Sequence, residues 1–172
     1  MLNYIQTYEE GARLATPPKA RWIIPFARNQ RFVGHVSTLD KLENMLFGQS
    51  RCHKVAITGL GGVGKSQVAL ELAYRTKENH PDCSVYWVSA ATVENFEESY
   101  LNIARELRLP GITDKKTDLR ALVKRHLSQE SSGEWLMVLD NADDIDACLD
   151  KTGSTQFTRL IDFLPRSSQG AV

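Results

Sequence analysis

The order of apolar segments predicts an α/β protein with three layers, a parallel sheet flanked by helices. Two observations carry that expectation. Short β-rich runs at residues 54–58, 84–88 and 135–139 alternate with segments of helical periodicity, and a glycine-rich stretch separates the first run from its helix. Consecutive strands joined through helices pair in parallel by right-handed crossovers, which covers both faces of the sheet.

The elements follow in chain order. Leu2, Ile5 and Tyr8 have helical spacing, but Thr16-Pro17-Pro18 cannot continue a helix, so residues 1–25 read as a short helix and a tether. Residues 26–172 read as the folded unit. Leu39, Leu42, Met45 and Leu46 lie on one helical face, with Ser37 as the expected N-cap and Gly48 as the stop. Residues 54–58 should form a strand. Val68, Ala69, Leu72, Ala73 and Thr76 mark the next helix, before Pro81. Residues 84–88 read as a buried strand, and Val93, Phe96, Tyr100, Ile103 and Leu107 as the inner stripe of a helix stopped by Pro110-Gly111. Leu119, Leu122, Val123, His126 and Leu127 give another helix, residues 135–139 another strand, and Phe157, Leu160, Ile161 and Leu164 a last short helix.

Composition narrows the function. In 172 residues, 21 Lys and Arg balance 21 Asp and Glu, which excludes a basic nucleic-acid arm or an acidic tail. No direct nucleic-acid binding is expected. A hydrophobic content of 42% supports a core, while no apolar run approaches the roughly 20 residues of a membrane helix. A cytoplasmic chain without a membrane partner is the resulting expectation. Cys52, Cys83 and Cys148 are odd in number and widely spaced, which suits reduced thiols rather than a disulfide framework or a zinc site.

Gly59-Leu60-Gly61-Gly62-Val63-Gly64-Lys65-Ser66 satisfies the pattern G-x-x-x-x-G-K-[ST] between a β-rich run and an amphipathic helix. Glycines let successive N–H groups turn toward one anion, and the helix start adds the positive end of its dipole. The candidate phosphate contacts are therefore Gly59, Gly61, Gly62, Val63, Gly64, Lys65, Ser66 and Gln67. Lys65 would place its ammonium between the β- and γ-phosphates, and Ser66 would offer its hydroxyl to Mg²⁺. The chain thus reads as a P-loop NTPase.

The second half of such a site is an apolar strand ending in a carboxylate, and Leu136-Met137-Val138-Leu139-Asp140 fits. Asp140 would hold the magnesium through water. Where many ATPases carry a second carboxylate, this chain has Asn141, whose amide can position a water but cannot take its proton. Asp143 and Asp144 follow closely and stand as further catalytic candidates, or as caps of a helix running to Leu149. Slow hydrolysis of ATP at most is expected.

Together with Phe32-Val33-Gly34, Val85-Tyr86-Trp87-Val88-Ser89 and Leu139-Asp140-Asn141-Ala142-Asp143-Asp144, these motifs resemble the NB-ARC family of signal-transduction ATPases, most closely its fungal NLR-like branch. The resemblance covers residues 26–172. It implies an ADP- or ATP-binding switch whose nucleotide exchange controls oligomerisation of the full-length protein, with an upstream effector domain and downstream repeats. It also implies that Val33 and Gly34 contact the adenine through their backbone. His35 and Val36 stand where the family commonly has Arg and Glu. In the family a further strand, bearing a γ-phosphate sensor, lies between the phosphate-loop strand and the Asp140 strand, and a helical region follows. The chain ends at Gly170-Ala171-Val172, where that strand would begin, so a C-terminally truncated domain with two unpaired central edges is expected. A small-molecule kinase of the P-loop class and a degenerate ADP-holding module are the alternatives.

Overall fold

The computed structural model describes residues 19–49, 53–114, 116–142 and 160–172. Four parallel strands stand in the order β1 (Trp22–Ile23), β2 (Ser84–Ser89), β3 (Trp135–Asp140) and β4 (Gly170–Ala171). The period of two along each strand sorts their side chains between two cores. Val85 and Trp87 of β2, with Leu136 and Val138 of β3, face α1 (Val36–Phe47) and α2 (Lys65–Asn79). Tyr86, Val88, Trp135 and Met137 face α3 (Val93–Glu106), α4 (Leu119–Leu127) and a 3₁₀ turn at Leu160–Phe163. The three layers are those the sequence predicts.

Three elements depart from expectation. The tether assigned to residues 1–25 ends early, because Trp22 and Ile23 pair with Val85 and Tyr86 at the sheet edge. Pro25 then has no N–H to extend the ladder, so β1 stops after two residues. Helix α1 starts at Val36, and its N-cap is His35, not Ser37. Gly34 and His35 both take positive φ, 82° and 54°, which turns the chain sharply into the helix and leaves Ser37 inside its first turn. Residues 54–58 are not a strand. Their ladder reduces to Val55 N–H donating to Val172 and Val172 N–H donating to His53, both at 2.9 Å, because β4 is too short to pair further. Those same bonds revise the expected unpaired edges: β4 pairs with β3 at Trp135 and Leu136, so residues 170–172 bridge the two halves at their base.

Close packing fixes that bridge. A Cβ at Gly170 would overlap the Trp135 indole, whose Nε1 donates to the Leu127 carbonyl at 2.9 Å. Opposite, Tyr100 donates to the Phe163 carbonyl and Arg120 lies 4.4 Å from the centroid of the Phe163 ring, while pairing with Glu97. Arg120 thus clamps the chain returning to β4. The N-terminal helix expected before Pro17, and Asp143, Asp144 and the helix expected through Leu149, lie outside the described residues, as do Cys52 and Cys148.

Candidate functional site

The phosphate loop turns at Gly62 and Gly64, with φ of 80° and 90°, a region that side chains with a Cβ rarely enter. A Cβ added at Gly61, Gly62 or Gly64 would meet nothing within 4 Å, so the loop arches over open space. Gly64 is the N-cap of α2, which points the unpaired N–H groups of the first helical turn into that space. Lys65 folds back across the arch, its ammonium donating to the carbonyls of Gly59 at 2.9 Å and Leu60 at 3.2 Å. One residue on, Ser66 Oγ donates to Asp140 Oδ1 at 2.6 Å. Strand β3 therefore delivers its terminal carboxylate to the helix start, and Asn141 leaves the strand in the left-handed region with φ of 61°.

These groups surround a cavity of about 610 Å³. Its polar end carries Gly61, Gly62, Gly64, Lys65, Ser66 and Gln67, with Asp140 and Asn141 opposite. Its apolar end runs between residues 55–58 and β3, above Val172. Val33, Gly34, Gly59 and Val63 do not line it, and Val33 is 84% exposed. Leu60 and Val63 point outward, at 81% and 52% exposure.

Ser66 and Asp140 form an oxygen donor set of the kind a hard divalent cation takes, and the phosphate cradle stands beside it. Those two residues would hold a magnesium ion, which when bound supplies positive charge to phosphate oxygens. Among the described residues, no group of three or more acidic, histidine or cysteine side chains is placed for a metal.

A set of contacts beside the loop escapes sequence reasoning. Arg28 grips Glu71 of α2 through Nε at 3.0 Å and Nη2 at 2.8 Å and also reaches Glu78. The Arg28 guanidinium holds the Glu71 carboxyl below its ordinary value, against the opposing effect of its burial. Asn29 donates to the Gln67 side chain at 2.9 Å. One signal was available: Glu71 stands among Val68, Leu70, Leu72 and Ala73, and a carboxylate on an apolar helix face requires a cationic partner.

Residues 49–171 match the family described as AAA domain, over most of the chain. The chain belongs to that family. It is a P-loop NTPase domain. Over 156 residues it is 40% identical to a nucleotide-binding leucine-rich repeat (NLR)-like protein of Hyaloscypha variabilis, an alignment that covers 87% of this chain and 16% of that relative. The domain thus spans about a sixth of the relative's length. No solved structure matches. No helix among the described residues is long and apolar enough to cross a membrane.

Proposed function

We propose that this domain is the ADP- and ATP-binding switch of an NLR-like signalling protein, of the NB-ARC type, in which nucleotide exchange rather than rapid turnover is the output. The observation that carries the reading is the Ser66–Asp140 hydrogen bond beside a glycine cradle, followed by an amide at Asn141 instead of a second carboxylate. Lys65 binds the β- and γ-phosphates, Ser66 and Asp140 hold Mg²⁺, and Val33 and Gly34 cover the adenine. Asn141 orients a water without accepting its proton, so hydrolysis is slow.

The relative's name, a nucleotide-binding leucine-rich repeat (NLR)-like protein, supports a longer protein with repeats; an upstream effector domain, a cytoplasmic location and oligomerisation when ATP replaces ADP complete the proposal. A kinase reading finds less support. It requires clustered arginines over the phosphates, whereas Arg120 is engaged at Phe163 and Arg105 faces a groove beside Phe26. The test is calorimetric titration with ADP and with ATP–Mg²⁺, alongside phosphate release. Binding of both nucleotides with release slower than about one per minute supports the switch. Turnover at ordinary enzymatic rates, near 10 per second, would overturn it.

A further inference from the structure

The strap at residues 26–31 lies beside α2 in the direction opposite to the helix. Phe26 carbonyl accepts from Tyr74 Oη at 2.8 Å, Arg28 binds Glu71, and Asn29 reaches Gln67, so each step along the strap moves toward the phosphate loop. Residues 67, 71 and 74 recur at the three- and four-residue spacing of one helix face. Asn29 then does three things at once. Its carbonyl accepts from Phe32 N–H at 3.0 Å, closing a turn; its side-chain oxygen accepts from Arg31 N–H at 3.0 Å; and its side-chain nitrogen donates to Gln67. Phe32 anchors the far side of the turn on the α1–α2 core.

We infer that Asn29, seconded by Arg28, is the positioning residue that fixes the turn at Val33-Gly34 relative to the phosphate cradle, and so sets how much the nucleoside half of a ligand adds to its binding. Gln67 is the joint of this arrangement. It lines the phosphate end of the cavity and receives the strap. Tethering the turn in advance removes an ordering cost that the nucleoside would otherwise meet on binding. Phosphate groups are held by the loop backbone and Lys65, and the strap meets that end only through the Gln67 side chain, leaving its backbone N–H in place. The inference rests on the reading above, in which this turn faces the base.

The experiment compares ADP with inorganic pyrophosphate, titrated into the 172-residue chain and into its Asn29→Ala and Arg28→Lys variants. Asn29→Ala loses two side-chain hydrogen bonds, the one to Gln67 and the one from Arg31 N–H, and is expected to weaken ADP about five- to tenfold. Pyrophosphate should change less than about twofold, and Arg28→Lys, which keeps charge but loses the two-pronged grip, should follow the same pattern. Equal weakening of both ligands, the signature of a loosened helix, would overturn the inference, as would no change in either. Should Arg28→Lys lower the melting temperature of the free chain, Asn29→Ala still decides, because its pair with Gln67 is exposed. Wild-type chain that binds pyrophosphate as tightly as ADP would instead remove the base-facing reading, and this inference with it.

Discussion

Ser66 Oγ and Asp140 Oδ1 meet at 2.6 Å across 74 positions of sequence, joining the first turn of α2 to the last residue of β3. A hydroxyl–carboxylate pair at this place serves two ends. It ties the C-terminal end of β3 to the phosphate loop, and it holds both oxygens where a cation bound to phosphate would take them.

Replacing Asp140 by Ala is therefore expected to weaken ATP–Mg²⁺ about tenfold or more, and ADP measured without metal much less. Titrations with and without Mg²⁺ check this. Equal losses in the two conditions would assign Asp140 a purely structural role through Ser66.

Lys65→Ala removes the one ammonium in the cradle. Truncating a charge that faces a buried opposite charge costs on the order of 2–5 kcal/mol, so ADP binding should fall by at least thirtyfold. The free chain should keep its melting temperature, since among the described residues Lys65 bonds to two exposed loop carbonyls. Unchanged ADP affinity in the variant would remove the phosphate assignment.

Much of this architecture was legible because period and punctuation agree. In β2 and β3 the burial of both faces follows from near-continuous apolar runs, and α3 and α4 follow from their apolar stripes, although their caps, Thr92 and Asp118, went unread. Gly64-Lys65-Ser66 and Asp140 were read as parts of one site, and the fold brings them together. What escaped depends on pairing at a distance. Residues 54–58 carry strand-forming side chains, yet a strand exists only where a neighbour completes its ladder, and β4 offers two residues and Val172. Trp22 and Ile23 escaped for the converse reason, being too few to show a period. The strap was invisible because Arg28 and Asn29 resemble any polar loop until Glu71 and Gln67 are brought against them.

Asn141 adopts φ of 61°, a conformation that Asn and Asp tolerate better than other side chains. Asn141→Asp should thus fold normally and place a carboxylate directly after the Asp140 strand end. General bases contribute about a hundredfold or more where they are aligned, and a rise in phosphate release of at least tenfold is expected. Phosphate release equal to that of the wild type would show that the missing proton acceptor is not what slows hydrolysis.

At Gly170 the demand is for space. Any Cβ there overlaps the Trp135 ring, which is itself buried and tied to Leu127. Backbone or indole must shift to admit it, so Gly170→Ala should destabilise the domain by about 1–3 kcal/mol, the range of overpacked cores. Chemical denaturation measures it. A change below about 0.5 kcal/mol would mean that the indole moves freely.

The Arg28–Glu71 pair makes a prediction about acid. Arg28 holds the folded-state pKa of Glu71 below the ordinary carboxylate value of 4.5. A depressed carboxylate contributes stability that is fully present above its unfolded pKa and is lost as pH falls through the folded one. The domain should therefore keep this contribution at pH 7 and lose it progressively below pH 4.5. Arg28→Met leaves Glu71, a side chain only 10% exposed, with Arg75 at 3.8 Å as its remaining cation. Removing one partner of a largely buried pair is strongly destabilising, and because Arg28 is 30% exposed the loss at pH 7 should be nearer 2 kcal/mol than the full 3–5 of a dry pair. At acidic pH the variant's Glu71 takes up a proton and the difference from wild type shrinks. Urea unfolding of both proteins at pH 7 and pH 4 tests the sign. An unchanged gap would mean that Glu71 is ionised as readily without Arg28 as with it, and a gap that widens in acid would mean that it is ionised more readily; either overturns the prediction.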